Sequence, residues 1–562
     1  MHYFILLVAL GIFSAVTPFR EMREPPNILI ILADDMGYSD IGCFGSELRT
    51  PHIDRLGYRG LRFTQFYNTG RCSPTRASLL TGLYPHQAGM GHLSTENHPL
   101  PGYRGDLRAE VPTLAEYLKT AGYSTFMTGK WHLAENTAYD GPKHNWPLQR
   151  GFDHFFGTLN GSGSFFDPGT LTSGNTNIPP GEGFYYTSAI SDSAAAYIRS
   201  SDGPFFGYIA YTAPHWPLHA PAEVIASCKG QFDAGWDKLR DQRFRKMQSL
   251  GIISDQYQLT KRPSSIPAWE EEPMKEWQLR RMEVYAAMIH IMDEGIGQIL
   301  AVLEEKGILN NTLIFYLHDN GGCQEFVGTH KPVEPLTETQ KVLRPSPYTL
   351  PNPDKKPAYT REGQFIRMGN GLMPGPANTW SAYGEGWANL SNTPFREYKQ
   401  WVHEGGIASP LLIHWPAGIS SPGGLRRQPT HLVDILPTCL EAASMATNLP
   451  FGEASAPTLE GQSLMPAFTD RPLRPRILFW EHGGNRALRD GNWKLVSRTR
   501  SNKFFGPADE DTWELYHLEN DPTERVNLRA KFPGKTRRLI ARYYQEAIRT
   551  QALPWPWKPE LK

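Results

Sequence analysis

NILIILA, at Asn27–Ala33, is a short uninterrupted run of Ile and Leu. A run of this length and composition is typical of a strand that is buried on both faces of a parallel sheet. Two later runs have the same character, PFFGYIAY at Pro204–Tyr211 and TLIFYL at Thr312–Leu317. Between these runs, Thr113–Thr120 and Arg281–Glu305 carry apolar residues at helical spacing. This alternation of strands and helices predicts an α/β protein with a large, doubly wound mixed sheet.

The C-terminal part of the chain has a different pattern. Three short strand-like segments and one amphipathic helix are predicted there: Arg476–Trp480, Asn485–Leu488, Trp493–Val496 and Pro533–Thr550. We therefore predict a large domain at residues 25–430 and a smaller α+β domain at residues 431–562, built from an antiparallel sheet and a helix. A length of 562 residues also suits two domains better than a single core.

Residues 331–392 form a long stretch of the large domain that is rich in Pro, Gly, Thr and Asn. Irregular segments of this length are uncommon in compact domains unless they have a function. Two interpretations are open, one wall of a ligand cleft or a disordered surface insertion.

The N-terminus carries an apolar run from Tyr3 to Val16. Its length suits the core of a signal peptide better than a helix that spans a bilayer. We predict a signal peptide at residues 1–20, a secreted or periplasmic protein, and no stable membrane span. No Lys or Arg precedes the run and no clear cleavage site follows it, so a lipoprotein-like or uncleaved anchor is the open alternative.

The composition is that of an ordinary globular protein. Lys plus Arg and Asp plus Glu both number 57, so the overall charge gives no reason to expect nucleic acid as a partner. Because the charges balance, any binding of an anion must depend on local charge.

Five cysteines are too few for a disulfide scaffold in a chain of this length, and their pairing stays undetermined.

Polar residues with oxygen atoms follow two of the predicted strands. Asp34 and Asp35 come directly after the first strand, and Asp319 and Asn320 come shortly after the third. Adjacent carboxylates repel each other unless a cation neutralises them, and oxygen is the donor that Ca²⁺ and Mg²⁺ prefer. Because no Cys or His cluster has zinc spacing, calcium is favoured over a softer metal. A solvated turn is the alternative for Asp34 and Asp35 taken alone.

The most informative string is Cys72-Ser73-Pro74-Thr75-Arg76, with Asn68-Thr69-Gly70-Arg71 before it. Three further strings accompany it: Thr128-Gly129-Lys130-Trp131-His132-Leu133, Ala213-Pro214-His215-Trp216-Pro217, and Pro394-Phe395-Arg396-Glu397-Tyr398-Lys399. On these strings the chain resembles the sulfatase family, over residues 27–527. The resemblance implies a sheet of the alkaline-phosphatase-like type in the large domain.

The resemblance also implies that the protein hydrolyses a sulfate ester. In the family, the cysteine of Cys-x-Pro-x-Arg is oxidised to formylglycine by a formylglycine-generating maturation enzyme, which is therefore an expected partner. One hydroxyl of the hydrated aldehyde attacks sulfur, and the other later expels sulfate as the aldehyde forms again. One calcium ion is implied, and its expected ligands are Asp34, Asp35, residue 72 itself (Cys72), Asp319 and Asn320.

The remaining roles are implied by the same resemblance. Arg76 is expected to orient the hydrated aldehyde, and Asp319 to act as the base for its attacking hydroxyl. His215 is expected to serve the leaving group. Lys399 is expected to bind a sulfate oxygen.

Lys130 and His132 form a further expected pair. Lys130 would bind sulfate oxygens, and His132 would accept the proton of the second hydroxyl. Because the two residues are two positions apart, an extended segment would place both on the same side.

Two other functions stay open at this point. One is a phosphate mono- or diester hydrolase of the same superfamily, and the other is a catalytically silent protein that binds sulfated glycans. The complete set of candidate residues argues against the second. The expected substrate is a sulfated small molecule or glycan, and Trp380 and Trp387 are compatible with stacking on an aryl group or a sugar ring.

Overall fold

The computed structural model describes residues 24–94, 96–344, 357–446, 457–499 and 512–556, and the backbone of two short strands at 450–451 and 454–455. The predicted signal peptide at residues 1–20 lies outside the described residues.

The strands are β1 (Asn27–Ala33), β2 (Leu61–Tyr67), β3 (Ser124–Lys130), β4 (His154–Thr158), β5 (Leu171–Ser173), β6 (Thr176–Asn177), β7 (Phe205–Ala210), β8 (Thr312–His318), β9 (Ala408–His414), β10 (Leu425–Arg426), β11 (Thr430–His431), β12 (Pro450–Phe451), β13 (Ala454–Ser455), β14 (Ile477–His482), β15 (Asn485–Asp490), β16 (Trp493–Ser497) and β17 (Trp513–His517).

The α-helices are α1 (Pro51–Arg59), α2 (Cys72–Thr81), α3 (Leu114–Thr120), α4 (Tyr186–Ser200), α5 (Ala222–Ser227), α6 (Gly235–Ser249), α7 (Lys275–Glu305), α8 (Glu338–Lys341), α9 (Glu385–Ser391), α10 (Glu404–Ile407), α11 (Ile435–Ala442), α12 (Met465–Phe468) and α13 (Pro533–Arg549). Short 3₁₀ helices lie at Gly42–Phe44, Pro147–Arg150, Trp269–Glu271, Leu309–Asn311 and Leu432–Asp434.

Eleven strands form one mixed sheet in the order β10-β2-β9-β8-β1-β7-β3-β4-β5-β6, with β11 also paired to β2. The central strands β8, β1, β7, β3 and β4 are parallel, whereas β9 runs antiparallel to both β8 and β2. The three predicted apolar runs are β1, β7 and β8, which lie side by side. The predicted fold class is therefore confirmed, and the carboxyl ends of these three strands meet at one edge of the sheet.

Strand β1 is buried along its whole length because helices cover both faces of the sheet. Leu29 and Ile31 pack in the core cluster that also contains residues of α1, α4 and α7. Ile28, Ile30 and Leu32 point the other way, into the cluster that contains residues of α2, α3 and α11. This arrangement explains why the sequence of β1 is continuously apolar instead of alternating.

The C-terminal strands form a separate antiparallel sheet in the order β14-β15-β16-β17. Helix α13 packs on one face through Leu539 and Tyr543, against Phe479 and Leu488 among others. The other face, which includes Trp480 and Val496, joins the core of the large sheet. The predicted antiparallel sheet and helix are confirmed, with β17 as an additional strand. The division near residue 430 stays a prediction, because α11 still packs into the core beneath the large sheet.

The structure describes the long stretch at 331–392 in two parts. Residues 345–356 lie outside the described residues. The part that follows is packed against the protein and ends in α9, in which Trp387 is completely buried beside Trp236 and Trp269. Trp387 therefore belongs to the core and is not available for stacking on a substrate. Trp380 is also buried, although it lies near Trp216.

Helix α7 is long and apolar enough, by length and composition, to cross a membrane. It extends the predicted helix at Arg281–Glu305 by six residues at its N-terminal end. Most of its apolar surface is buried against α4, α1 and the sheet, as is typical of a core helix.

We expect Ile30→Ala to lower the free energy of unfolding by about 2–5 kcal/mol, because it leaves a cavity in a strand that is packed on both faces. Ile548→Ala is the matched control, since Ile548 is 67% exposed on α13. The control should change the same quantity by less than about 0.5 kcal/mol. Equilibrium urea unfolding measures both, and equal effects of the two variants would contradict the assignment of β1 to the centre of the core.

Candidate active site

The site begins where β1 and β8 end side by side. Ala33 is paired with His318 in the sheet, so the two turns that follow these residues are neighbours. The backbone N–H of Asp35 donates to Asp319 Oδ1 at 3.1 Å, and Asn320 Nδ2 donates to Asp35 Oδ1 at 2.8 Å. The polar residues predicted at these two strand ends therefore form one group.

Three carboxylates, Asp34, Asp35 and Asp319, form what we call the carboxylate cluster, and all three are buried. Cationic side chains contact each of them. Lys130 Nζ lies 2.6 Å from Asp34 Oδ2, and Lys399 Nζ lies 2.7 Å from Asp35 Oδ1.

Arg76 is the third cation, and it bridges two members of the cluster. Its Nη2 atom is 3.4 Å from both Asp34 Oδ2 and Asp319 Oδ2. Its Nη1 atom donates to the carbonyl oxygen of Lys130 at 2.8 Å. Buried charges are costly unless they are paired, so the three cations and the carboxylate cluster hold one another in place.

Cys72 lies at the first position of α2 and is 3% exposed. The first turn of this helix is attached to the end of β8, because Thr75 Oγ1 donates to the carbonyl oxygen of Asp319 at 2.7 Å. Arg76 follows one turn after Cys72 on the same helix. The Cys-x-Pro-x-Arg string thus places its arginine at the carboxylate cluster and its cysteine one turn earlier on the same helix.

The donor set fits a hard divalent cation. Two buried oxygen atoms, Asp34 Oδ1 and Asn320 Oδ1, have no hydrogen-bond partner among the described residues. Carboxylate oxygens of Asp34 and Asp35 also lie within 4.8 Å of each other. Carboxylate and amide oxygens are the ligands that such an ion takes, and unpaired buried oxygens call for a partner.

The pKa values of two members of the cluster are shifted in opposite directions. Burial raises the pKa of Asp34, but Lys130 and neighbouring cations outweigh it and hold this pKa well below its ordinary value. Burial also raises the pKa of Asp319, and the charge of Asp34 raises it further, well above its ordinary value. A bound divalent cation would lower the pKa of Asp319 again, because it adds positive charge to the cluster.

His132 lies next to the same group, but its backbone is not extended as predicted. Its φ of 56° is in the left-handed region, so the extended segment ends at Lys130 with β3. The ring fills the space beside Gly161, where an added Cβ would come within 2.4 Å of it. Burial lowers the pKa of His132 well below its ordinary value, and Lys130 and Arg76 lower it further. His132 is therefore neutral, the state in which imidazole can accept a proton.

His215 contacts Asp35 of the carboxylate cluster and also the ring of Trp216. Its Nε2 atom is 3.3 Å from Asp35 Oδ2 and 3.4 Å from Lys399 Nζ. Its Nδ1 atom is 2.6 Å from the carbonyl oxygen of Trp216, which fixes the orientation of the ring. The structure thus brings all ten predicted site residues together: Asp34, Asp35, Cys72, Arg76, Lys130, His132, His215, Asp319, Asn320 and Lys399.

Sequence reasoning missed Arg71 and Glu325. Arg71 Nη1 donates to Glu325 Oε1 at 2.6 Å, and both side chains are 12% exposed. Glu325 also accepts from Trp216 Nε1 and Gln400 Nε2, both at 2.9 Å. Two signals were available: Arg71 directly precedes Cys72, and Glu325 follows the Asp319-Asn320 turn by a few residues.

Taken together, the fold and the site place buried carboxylates, cations and histidines at the carboxyl ends of a doubly wound sheet, where α/β enzymes bind their ligands. The sulfatase family model matches residues 26–445. The chain therefore belongs to the sulfatase family, whose members are sulfuric ester hydrolases.

Two relatives agree with this assignment, and two solved structures are similar in fold. A sulfatase of Schizosaccharomyces pombe is 32% identical over 93% of this chain and 94% of its own length. An arylsulfatase of Klebsiella aerogenes is 32% identical over 82% of this chain and 95% of its own length. The fold is similar to that of Ps i-CgsB in complex with k-i-k-neocarrahexaose (23% identity, 96% of each chain, TM-score 0.60). It is also similar to that of a protein in complex with its substrate D-glucosamine-2-N,6-O-disulfate (20% identity, 96% of this chain and 100% of the other, TM-score 0.57).

We expect Glu325→Gln to lower the free energy of unfolding by about 1–3 kcal/mol at pH 7, because it weakens charge-assisted hydrogen bonds. Burial raises the pKa of Glu325, but Lys399 and Arg71 outweigh it and hold this pKa well below its ordinary value. The stabilising contribution is therefore complete above the unfolded pKa of about 4.3 and is lost as the pH falls through the lower, folded pKa.

Urea unfolding of the wild type and the variant at pH 7, 5 and 3.5 measures this difference. Glu338→Gln is the control, since Glu338 forms an exposed pair with Lys341 and should contribute little. A difference that is absent at pH 7, or that grows as the pH falls, would contradict the assignment.

Proposed function

We propose that this protein hydrolyses an aryl or carbohydrate sulfate ester to the alcohol and inorganic sulfate, with a formylglycine formed from Cys72 and one calcium ion. The position of Cys72 is the observation that carries the proposal. It is the buried first residue of α2, one turn before the arginine that contacts Asp34 and Asp319. A structural cysteine would not need this surrounding set of charges.

Calcium is proposed on the chemistry of the donors. Asp34, Asp35, Asp319 and Asn320 offer oxygen atoms, and residue 72 would supply another after its conversion to hydrated formylglycine. Calcium prefers such a set, whereas zinc prefers nitrogen and sulfur. The bound ion would polarise a sulfate oxygen and lower the pKa of the attacking hydroxyl.

Formylglycine would supply two hydroxyls on one carbon, so that the sulfated residue can release sulfate without attack of water on sulfur. The proposal therefore includes a formylglycine-generating maturation enzyme as a partner. Arg76 is fixed by Asp34, Asp319 and the Lys130 carbonyl oxygen, so it is held in position to orient this group.

The other side chains take roles that suit their protonation states. Lys130 and Lys399 are buried cations that would bind the sulfate oxygens. His132 is neutral and would accept the proton of the second hydroxyl. His215, held by the Trp216 carbonyl oxygen, would contact the leaving-group oxygen. Asp319 would accept the proton of the attacking hydroxyl once the cation has ionised it.

The proposal leaves an aryl sulfate and a carbohydrate sulfate as the two substrate classes. Trp216 is partly exposed, its ring lies 4.7 Å from that of His215, and it can stack on either kind of ring. The arylsulfatase relative supports the first class, and the solved complex with a disulfated glucosamine supports the second. Export is also part of the proposal, on the apolar run at Tyr3–Val16.

The test is a mass spectrum of the peptide that contains residue 72, from full-length protein coexpressed with a formylglycine-generating enzyme. We expect the aldehyde in place of the thiol, and release of sulfate from a panel of aryl and glycan sulfates. Cys72→Ala should abolish release, whereas Cys228→Ala, at a buried cysteine on another part of the core, should retain it. The N-terminal peptide of the same sample is expected to begin after about residue 20.

Two results would overturn the proposal. A folded protein whose residue 72 stays a cysteine beside a competent maturation enzyme would favour the glycan-binding alternative. Faster turnover of the matching phosphate esters than of any sulfate ester would favour the phosphoesterase.

A further inference from the structure

A second group of metal-ligating side chains lies between α1 and α7, apart from the site described above. His52, Asp293 and Glu294 each offer a donor atom, and these atoms lie within 4.8 Å of one another. Ligands of a single transition ion are separated by distances within this limit, since each lies about 2.0–2.2 Å from the metal. We propose that these three residues bind a divalent transition ion, with Zn²⁺ as the probe of choice.

The residues that α7 contributes to this group lie on one face of the helix. His290, Asp293, Glu294 and Gly297 are spaced i, i+3, i+4 and i+7, so they face the same side of the helix. The donor atoms that converge are those of His52, Asp293 and Glu294.

Gly297 makes room for the histidine of α1. A Cβ at position 297 would lie 2.7 Å from three atoms of the His52 ring. The ring therefore lies flat on the α7 backbone, one helical turn from Asp293, instead of pointing into solvent. This packing orients the imidazole toward the carboxylates before any ion binds, which reduces the entropic cost of binding.

Asp293 is fixed from the other direction. It is fully buried, and its two oxygens accept from the backbone N–H groups of Ile53 at 2.8 Å and His52 at 3.2 Å. The capping of α1 explains the position of Asp293. It does not explain why donor atoms of His52 and Glu294 also lie close to Asp293. Each carboxylate oxygen still has a second lone pair, so the capping bonds leave Asp293 able to coordinate an ion.

The donor types indicate the class of metal. One imidazole nitrogen with two carboxylate oxygens suits zinc and its neighbours in the first transition row, whereas calcium takes oxygen alone. Because Glu294 is exposed, the ion can enter from solvent and keep a water ligand. The ion would link α1, which precedes β2, to α7, which precedes β8.

The experiment is a zinc titration of the full-length protein in calcium-containing buffer by calorimetry, with the zinc-edge anomalous signal of zinc-soaked crystals as the positional readout. We expect an anomalous peak between His52 and Glu294. His52→Ala and Glu294→Gln should each weaken this binding by roughly tenfold or more. His144→Ala is the control, since His144 is an exposed histidine paired with a single carboxylate, Asp106. Asp293 is left intact because it also caps α1.

Thermal unfolding separates loss of the ion from loss of the fold. Both variants should unfold near the wild-type temperature without zinc and lack the increase that zinc gives the wild type. Glu294→Gln, at an exposed position, decides the matter if His52→Ala folds poorly. An unchanged zinc titration of Glu294→Gln, or an anomalous signal only at other positions, would overturn the proposal. Sulfate-ester hydrolysis is not its readout, so it stands or falls independently of the proposed function.

Discussion

The accumulation of negative charge at the ends of β1 and β8 is the constraint on which the rest of the site depends. Asp34, Asp35 and Asp319 are all buried. The backbone N–H of Asp35 donates to Asp319, and the side chain of Asp35 accepts from Asn320. Such a group is unstable unless positive charge surrounds it, because burial removes the solvent that would screen the repulsion. Three cations from distant elements supply this positive charge: Arg76 from α2, Lys130 from the end of β3, and Lys399 from the segment before α10.

The same electrostatic arrangement suits the chemistry of a sulfatase. Lys130 and Lys399 are paired with carboxylates in the described structure, and a bound cation in the carboxylate cluster would free them to bind a sulfate oxygen. In the proposed mechanism, these two ion pairs hold the lysines in place until the cation binds. Arg71 and Glu325 form a further ion pair, which is slightly exposed. Glu325 also accepts hydrogen bonds from Trp216 and Gln400.

Sequence reasoning predicted those parts of the molecule that local pattern determines. The buried strands follow from apolar runs, and the polar residues at their ends follow from the rule that parallel strands collect ligands at their carboxyl ends. The errors arise where tertiary packing decides. His132 adopts a left-handed backbone that its string does not reveal. Trp387 is a core residue, because α6 and the 3₁₀ helix at Trp269–Glu271 cover it.

The convergence of residues that are far apart in sequence is also beyond local pattern. Glu325 gives no periodic signal, and only the fold brings it to Arg71, 254 positions earlier. His52 and Asp293 are separate in the same way, and their approach depends on a glycine on α7 that leaves space for a ring. The strand pattern indicated the four oxygen-bearing residues at the strand ends, and the family resemblance supplied the other six site residues. The physical reasons for their positions came from the structure.

The most direct test of this account is a crystal structure of the mature protein at saturating calcium. The account predicts one ion at the carboxylate cluster, with Asp34, Asp35, Asp319, Asn320 and residue 72 as oxygen ligands at about 2.3–2.6 Å. It also predicts that Lys130 and Lys399 turn away from Asp34 and Asp35 toward the anion site. A mature protein with no ion there, and with both lysines still paired to these carboxylates, would contradict it.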